Sequence, residues 1–487
     1  MTGSTRRIAT GVGWLYGYRW IERLIDFASV VVLARILAPD DFGLVAIAAS
    51  VVTIIEGLSA LDVNKALIRH RDDDRSLYDT AWTLSVLRGL LSALIMIVIS
   101  RFVDDPRIAS ILVVLSLSPI LTGLANPRFV MFERDLVYSR LAILTLGARI
   151  LAFVVTVAIA VLTGSYWALV IGMLAGALAS LVLGYLLRPY LPRPSLARFS
   201  DIFAFSGWLS LTSVVTTLAM ETDKIIVGRL LGITEAGYYF MTQRIGVLPT
   251  REFVSPLQRI LFPSFSELAA DTTRLRRAAL ESVNVIGSMS LPAGFGFALV
   301  AGDFVPLVLG DQWAPIVPLL VILVPYLGLR ATLSMALPCV MALGRTRLLF
   351  GVSLVYAVIH LPLFIGCTAA FGLSGAIWSI VGAGVLYTAL NAWMLHRALG
   401  LTPVELIVQL RRPFIAALAM VGVVLALRAM PPLVSIVTGP SWVTLIGTTV
   451  CGAVVYTAGA ATMWRVEGRP PGLERRLLDL LRRSPPE

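Results

Sequence analysis

The sequence has few charged residues and almost no lysine. Charged residues account for 14% of the 487 positions, whereas soluble domains contain about 25%. Only Lys65 and Lys224 are lysines among the 40 basic residues, and the arginines are scattered singly between apolar stretches. A nucleic-acid-binding protein would gather its basic residues on one surface. The composition therefore excludes an ordinary soluble domain, and we expect no nucleic-acid partner.

Residues that bind metals or act as nucleophiles are scarce as well. The cysteines and histidines do not have metal-ligand spacing; they are Cys339, Cys367, Cys451, His70, His360 and His396. No Ser/His/Asp set or glycine-rich phosphate loop is present, and the connections between apolar runs are too short for a catalytic domain. We expect no metal, no cofactor and no enzymatic activity. The N-terminal segment MTGSTRRIATGVGW lacks the features of a cleavable signal peptide.

Apolar residues, by contrast, make up 57% of the chain, and the mean hydropathy is +0.86. They occur in runs of about 20 residues, the length that crosses a hydrocarbon core. The runs and their helical periodicity predict an all-α integral membrane protein with 14 transmembrane helices. The predicted spans are 10–37, 42–66, 80–100, 108–131, 137–162, 165–187, 202–231, 235–262, 279–301, 314–343, 348–369, 372–396, 412–430 and 441–464.

The distribution of arginine predicts the orientation of these spans. With the N-terminus in the cytoplasm, the inside segments contain 23 arginines and the outside segments contain three. Such an excess is typical of cytoplasmic loops. A miscounted span would exchange the later loops and destroy the bias. We therefore expect both termini to be cytoplasmic.

The chain also contains an internal repeat. A single offset of 194 residues relates six pairs without a gap: Gly13–Gly207, Trp14–Trp208, Leu15–Leu209, Arg35–Arg229, Leu37–Leu231 and Gly43–Gly237. A second similarity links VMFERDLVYSR at 130–140 with VMALGRTRLLF at 340–350. Six spans separate the copies, which predicts a parallel repeat of two six-helix lobes about an axis along the membrane normal.

The repeat and the loops divide the chain into five predicted parts. They are an N-terminal lobe (1–187), a cytoplasmic inter-lobe loop (188–200), a C-terminal lobe (201–397), two further helices (398–464) and a basic cytoplasmic tail (465–487). Within the tail, GLERRLLDLLRR at 472–483 predicts a short helix lying on the inner leaflet.

Several predicted spans carry charges at depths where a charge costs about 2.5–3.5 kcal/mol. In the first span, Arg19, Glu22, Arg23 and Asp26 share one helical face. Such a face must contact protein or water. One interpretation is a cationic cavity for an anionic substrate, and the other is internal salt bridges between helices. The arginines placed deepest are Arg19, Arg23, Arg88, Arg149, Arg244, Arg251 and Arg330.

Four acidic residues are candidates for binding a proton or a sodium ion between the lobes: Glu22, Asp26, Glu221 and Asp223. Their proton affinity would change as nearby arginines move. Simple pairing with Arg19, Arg23 or Lys224 is the alternative. The sequence leaves both open.

Four segments resemble one family over nearly the whole chain. LARILAPDDFGLVAIA at 33–48 and GRLLGITEAGYYFMTQRI at 228–245 are similar to helix ends in Wzx-type polysaccharide and O-antigen flippases of the multidrug/oligosaccharidyl-lipid/polysaccharide (MOP) exporter superfamily. GSYWALVIG at 164–172 and FGLSGAIWSIVGAG at 371–384 resemble the turns before the sixth and twelfth helices of these proteins.

The resemblance implies an alternating-access flippase in the bacterial inner membrane. It would move undecaprenyl-diphosphate-linked oligosaccharide from the cytoplasmic to the periplasmic leaflet for exopolysaccharide or O-antigen synthesis. It implies a monomer in contact with membrane lipid, with polysaccharide polymerase and export proteins as candidate partners and a proton or sodium gradient as the energy source. The alternatives are a peptidoglycan-precursor flippase, a multidrug or cation antiporter of the same superfamily, and a membrane glycan polymerase or ligase.

Overall fold

The computed structural model describes residues 3–58, 67, 74–134, 138–199, 207–429 and 441–468. Every regular element in these ranges is helical, as the sequence predicts. Residues 59–66 of the second predicted span and the helix predicted at 472–483 lie outside the described residues. The chain forms two compact units, Met1–Gly237 and Tyr238–Glu487.

The first unit contains nine helices in its described ranges and the start of a tenth. They are α1 (Gly3–Ile36), α2 (Pro39–Leu58), α3 (Arg75–Ser100), α4 (Pro106–Leu115), α5 (Leu117–Gly123), α6 (Met131–Arg134), α7 (Tyr138–Thr163), α8 (Trp167–Leu187), α9 (Gly207–Leu231) and α10 (Ile233–Gly246). A 3₁₀ turn, Pro127–Val130, precedes α6.

Capping residues determine where α3 and α4 begin. The Asp74 carboxylate accepts a hydrogen bond from the Ser76 amide, and Asp105 accepts one from the Arg107 amide. Both satisfy amides that have no partner inside the helix. Pro106 follows Asp105 as the first residue of α4, where its missing N–H is not needed.

The helices of the first unit bury one face against each other and leave an apolar face uncovered. α1 packs against α7, α7 against α8, α3 against α5, and α2 against α9. On α3, Leu87, Leu90 and Leu94 lie on one face and are exposed. An apolar stripe of this size on helices long enough to cross a membrane indicates a surface covered by lipid.

The second unit contains the rest of α10 and seven further helices in its described ranges. They are α11 (Leu248–Leu268), α12 (Thr272–Phe304), α13 (Val317–Thr332), α14 (Ala336–Ala342), α15 (Thr346–Leu399), α16 (Pro403–Ala429) and α17 (Trp442–Val466). α12 lies at the centre and packs against α13, α16 and α17.

Ten helices in the described residues are long and apolar enough to cross a membrane. They establish a multi-pass membrane protein. α1, α9, α10 and α11 are not among these ten. One of the ten, α15, bends at Gly372 (φ 63°) and covers both the eleventh and twelfth predicted spans. The count of 14 spans stays a prediction.

The boundary between the compact units lies after Gly237. α9, which the repeat assigns to the second lobe, therefore packs within the first unit, against α2. A compact unit is defined by contacts and a lobe by sequence repetition, so the two divisions need not coincide. The predicted lobes and their boundaries stay predictions.

Candidate functional site

The charged face predicted on α1 lies against α7 in the first unit. Glu22 is half-buried, and the Asp26 side chain is 43% exposed. The helical period that placed both carboxylates on one face is local, so it could be derived from the sequence. The identity of the partner helix, α7, could not be derived from the sequence, because α7 is far from α1 along the chain.

Arg149 of α7 joins the two carboxylates. Its Nε lies 3.4 Å from Oε1 of Glu22, and its Nη1 lies 3.2 Å from Oδ1 of Asp26. A guanidinium can contact two carboxylates at once because its donors form a planar fork. The structure therefore brings together one predicted substrate arginine and two predicted ion-binding acids, in the salt-bridge arrangement that the sequence left open.

Arg19 and Arg23 lie one turn apart on α1, each near an aromatic ring of the same helix. The Arg19 Cζ is 5.8 Å from the Tyr18 ring centroid, and the Arg23 Cζ is 5.5 Å from the Trp20 ring centroid. The Nε of Arg19 is buried and has no hydrogen-bond partner among the described residues. A buried donor of this kind is costly, so it points to a ligand or an ordered water.

Charged side chains also interact on α2, α3 and α9 of the first unit. The charge of Arg88 on α3 acts on the carboxylate of Glu56 on α2. On α9, Nζ of Lys224 lies 2.6 Å from Oε2 of Glu221, one turn apart along the helix. Asp223 is buried, with 5% of its surface exposed. Glu221 is therefore paired as the alternative interpretation expected, and Asp223 is the most enclosed of the four candidate acids.

The predicted arginines of the second unit lie on α10, α11 and α13. Arg244 is exposed, with its Cζ 5.7 Å from the Phe240 ring centroid, and Arg251 is exposed as well. Hydrogen bonds from the Val247 amide to Gln243 and from the Arg251 amide to Val247 continue the helical path between α10 and α11. The two arginines therefore share a face, because seven residues are about two turns of a helix.

Arg330 sits in an aromatic environment in the second unit. Its Cζ is 5.3 Å from the Tyr387 ring centroid. The ring centroids of Tyr387 and Tyr356 are 4.9 Å apart. Tyr356 stacks on the buried His360 with centroids 5.1 Å apart. Contact with a ring face stabilises the guanidinium without removing its hydrogen-bond donors.

The sequence reasoning missed a polar cluster that holds the segment after α8 against α3. Asp79 of α3 is buried and accepts hydrogen bonds from the Tyr190 hydroxyl (2.5 Å) and the Arg193 amide (2.9 Å). The guanidinium of Arg128 lies over two rings, 5.2 Å from the Tyr78 centroid and 5.0 Å from that of Tyr190. The sequence signal for this cluster was Asp79 itself, an acidic residue directly before the apolar run that begins at residue 80.

The same segment makes further contacts along α3. The Ser195 amide donates to the Thr83 hydroxyl at 2.9 Å, and Arg198 forms an ion pair of 3.1 Å with Asp74. Hydrogen bonds from Ser76 and Arg198 hold the pKa of Asp74 below its usual value. Burial, together with Asp79, raises the pKa of Tyr190. We name residues 190–198 the clamped loop.

Residues 32–318 match a family model described as polysaccharide biosynthesis protein. The chain is similar to the lipopolysaccharide biosynthesis protein WzxC of Escherichia coli (strain K12), with 24% identity over 408 residues that cover 81% of this chain and 82% of the relative. It is also similar to the succinoglycan biosynthesis transport protein ExoT of Rhizobium meliloti (strain 1021), with 26% identity across 100% of this chain and 98% of the relative.

Two solved structures have a similar fold. The lipid II flippase MurJ, in an inward closed conformation, matches with a TM-score of 0.73 and 13% identity, over 93% of this chain and 99% of that chain. An inward-facing multidrug resistance MATE family transporter of the MOP superfamily matches with a TM-score of 0.57 and 13% identity, over 77% and 94%. At this level of identity the likeness concerns the fold alone.

Proposed function

The chain belongs to the polysaccharide biosynthesis protein family, among the Wzx-type flippases of the MOP superfamily, and we propose that it moves undecaprenyl-diphosphate-linked oligosaccharide across the bacterial inner membrane. The direction would be from the cytoplasmic to the periplasmic leaflet. Two relatives that cover at least four fifths of the chain have names in lipopolysaccharide and succinoglycan biosynthesis, and the second is named a transport protein. The fold of the whole chain supports a transporter rather than a glycan polymerase or ligase.

The observation that carries the proposal is the buried donor of Arg19 on α1. A diphosphate is anionic and must lose water to enter a membrane protein. Arginine replaces that hydration with charge-assisted hydrogen bonds, which are about twice as strong as neutral ones. The Nε of Arg19 is a buried donor for which the described residues provide no acceptor. A phosphate oxygen would supply one.

The ion pairs of Arg149 suggest a division of labour among the predicted site residues. Since Arg149 contacts Glu22 and Asp26, its charge is already compensated. In the proposed mechanism Arg19 and Arg23 of α1 contact the diphosphate. Arg149 holds the two carboxylates of α1 instead of the diphosphate, and the lipid tail remains in the bilayer.

The energy source is part of the proposal. Protonation of Asp26, or sodium binding to it, would neutralise one of the two carboxylates that pair with Arg149 and so change the charge offered to the substrate. Asp223 provides the corresponding enclosed carboxylate on α9. No cofactor is needed for this cycle, only a proton or sodium gradient. We propose that the protein works as a monomer, with polysaccharide polymerase and export proteins as partners.

A second candidate substrate is the peptidoglycan precursor, which the similarity in fold to the lipid II flippase favours. Both candidates are polyprenyl-diphosphate sugars, so one assay separates them. The purified protein in liposomes would receive a tagged lipid-linked oligosaccharide or lipid II in the outer leaflet, and a membrane-impermeant enzyme would report how much remains accessible. Transport of the oligosaccharide but not lipid II supports the proposal. Transport of lipid II alone, or of neither, would contradict it.

A further inference from the structure

The two copies of the repeated segment meet each other in the first unit. In the first copy, α1 ends at Ile36 and α2 begins at Pro39; in the second, α9 ends at Leu231 and α10 begins at Ile233. Both therefore consist of a helix end, a tight turn and a helix start. The arginine distribution predicts that both turns lie at the periplasmic side.

The contacts between the copies are reciprocal. The Thr234 hydroxyl donates a hydrogen bond of 2.5 Å to Oδ1 of Asp40, a residue 194 positions earlier. A Cβ added to Gly43 would overlap the carbonyl oxygen of Ile233 and lie 3.0 Å from the Gly237 amide nitrogen. A Cβ added to Gly237 would overlap the carbonyl oxygen of Pro39 and lie 3.2 Å from the Gly43 amide nitrogen.

This reciprocity has a geometric consequence. Pro39 and Ile233, like Gly43 and Gly237, are related by the same offset of 194 residues. Gly43 of the first copy touches Ile233, the equivalent of Pro39, and Gly237 of the second copy touches Pro39 itself. Such a reciprocal contact between equivalent surfaces is called isologous, and it lies on a two-fold axis. The pair Gly43–Gly237 therefore marks the point where the axis of the repeat leaves the protein at the predicted periplasmic end.

A second interaction holds the same end together. Arg229, at the end of α9, forms an ion pair of 2.5 Å with Asp104, in the connection between α3 and α4, and both side chains are more than three quarters exposed. Exposed pairs contribute little to stability. At this end the two copies are thus joined by close backbones, one hydrogen bond and a weak ion pair.

We propose that Gly43–Gly237 and Asp40–Thr234 form the gate that closes the predicted periplasmic end of the transport pathway. This inference rests on the proposed function. A pathway between two lobes related by an axis along the membrane normal follows that axis, so a contact on the axis blocks it. The gate opens when the two copies separate, and glycine at both positions lets the backbones close tightly enough to exclude the substrate.

α2 and α9 also pack against each other away from the gate. Beyond the gate, Gly228 faces Ile47, and Gly57 faces Thr217, whose Cγ2 would be 2.9 Å from an added Cβ. The two helices therefore run antiparallel in contact along their length. The Gly57–Thr217 contact lies far from the gate and acts as the pivot about which α2 and α9 separate.

Reversible cross-linking tests the gate. A short bis-methanethiosulfonate reagent, which forms a reducible disulfide with each cysteine as a sulfinate leaves, would join the double variant Asp40→Cys/Thr234→Cys, and the single variants would serve as controls for modification alone. Export of the tagged oligosaccharide lipid from liposomes should fall in proportion to the cross-linked fraction and return on reduction. A matched cross-link at the pivot, in Gly57→Cys/Thr217→Cys, should leave export unchanged. Wild-type export by the cross-linked gate variant, or equal inhibition by both cross-links, would overturn the assignment.

A measurement without substrate separates failure of the gate from failure of the proposed function. Spin labels at positions 40 and 234 should give a short and a long distance in liposomes. Gly43→Ala and Gly237→Ala should increase the long-distance population, whereas Gly422→Ala, where a Cβ meets nothing within 4 Å, should not. One short distance in all variants would disprove the gate, whichever solute the protein transports.

Discussion

Nη1 of Arg149 lies 3.2 Å from Oδ1 of Asp26, so α7 and α1 are joined by charges that the sequence placed in separate functional groups. The arginine had been assigned to substrate binding and the aspartate to ion coupling. Their contact makes the two roles interdependent. Loss of Arg149 removes the compensating charge from both Glu22 and Asp26, and this leads to the first prediction.

Arg149→Ala should reduce stability modestly and make export independent of the charge at position 26. Because the Arg149 side chain is 52% exposed, the loss should be about 1 kcal/mol or less. Exchange of the charges in Arg149→Asp/Asp26→Arg should restore stability relative to either single variant. Thermal unfolding in detergent provides the measurement, and additive effects in the double-mutant cycle would contradict the pairing.

Arg19→Ala should abolish export while the protein remains folded in the membrane. Arg19→Lys should retain part of the activity, because the charge survives and the bidentate fork is lost. The measurements are transport in liposomes and the yield of monodisperse protein. The matched control is Arg107→Ala, which removes an exposed arginine paired with Asp105 and should export normally. Normal export by Arg19→Ala would exclude this residue from the substrate site.

Neutralisation of the coupling acids should change the ion dependence of export. In Asp26→Asn and Asp223→Asn, the charge that responds to a proton or a sodium ion is absent, so transport should lose its response to the gradient. The measurement compares initial rates with and without imposed proton and sodium gradients. Glu221→Gln serves as the comparison, since Glu221 is already paired with Lys224. An unchanged gradient response in both aspartate variants would rule them out as coupling sites.

The clamped loop should be released when its contacts with α3 are removed. Tyr190→Phe deletes the hydrogen bond to buried Asp79, which should lower the free energy of unfolding by about 1 kcal/mol and speed trypsin cleavage after Arg198. Ser180→Ala, which removes only a bond within α8, should leave the digestion pattern unchanged. Equal cleavage rates in both variants would contradict the clamp.

Acid should have a related effect on the clamped loop. The pKa of Asp74 is lowered in the folded protein, so its contribution to stability is present above the ordinary value of 3.8 and is lost as the pH falls through the lowered pKa. Digestion by an acid-stable protease should therefore accelerate at the acid end of the range in the wild type, and Asp74→Asn should remove that step.

The topology prediction can be tested by reporter fusions. Fusions within 188–200 and at Glu487 should be cytoplasmic, and fusions near Asp104 or Asp311 should be periplasmic, because the predicted inside segments contain most of the arginines. Asp104 is the partner of Arg229 beside the proposed gate. A periplasmic location of Asp104 would therefore place the gate at the periplasmic side of the membrane. A periplasmic C-terminus would refute the model of 14 spans.

The properties that the sequence determined by itself are those that depend on neighbours along the chain. Apolar runs specify membrane helices because their length matches the bilayer, and the spacing of Arg19, Glu22 and Asp26 specifies one face because a helix turns every 3.6 residues. The start of α4 at Pro106 and the bend of α15 at Gly372 follow from local backbone chemistry as well. The family resemblance rests on such local segments too.

Only the tertiary structure decided which charges meet. The choice of Arg149 as the partner of Glu22 and Asp26, the docking of Tyr190 on Asp79, and the meeting of Gly43 with Gly237 all join segments more than 100 residues apart. Periodicity specifies the face of a helix but not its neighbour, its depth or its rotation. Those are set by the packing of all the helices together, because a close contact depends on the shapes of both surfaces.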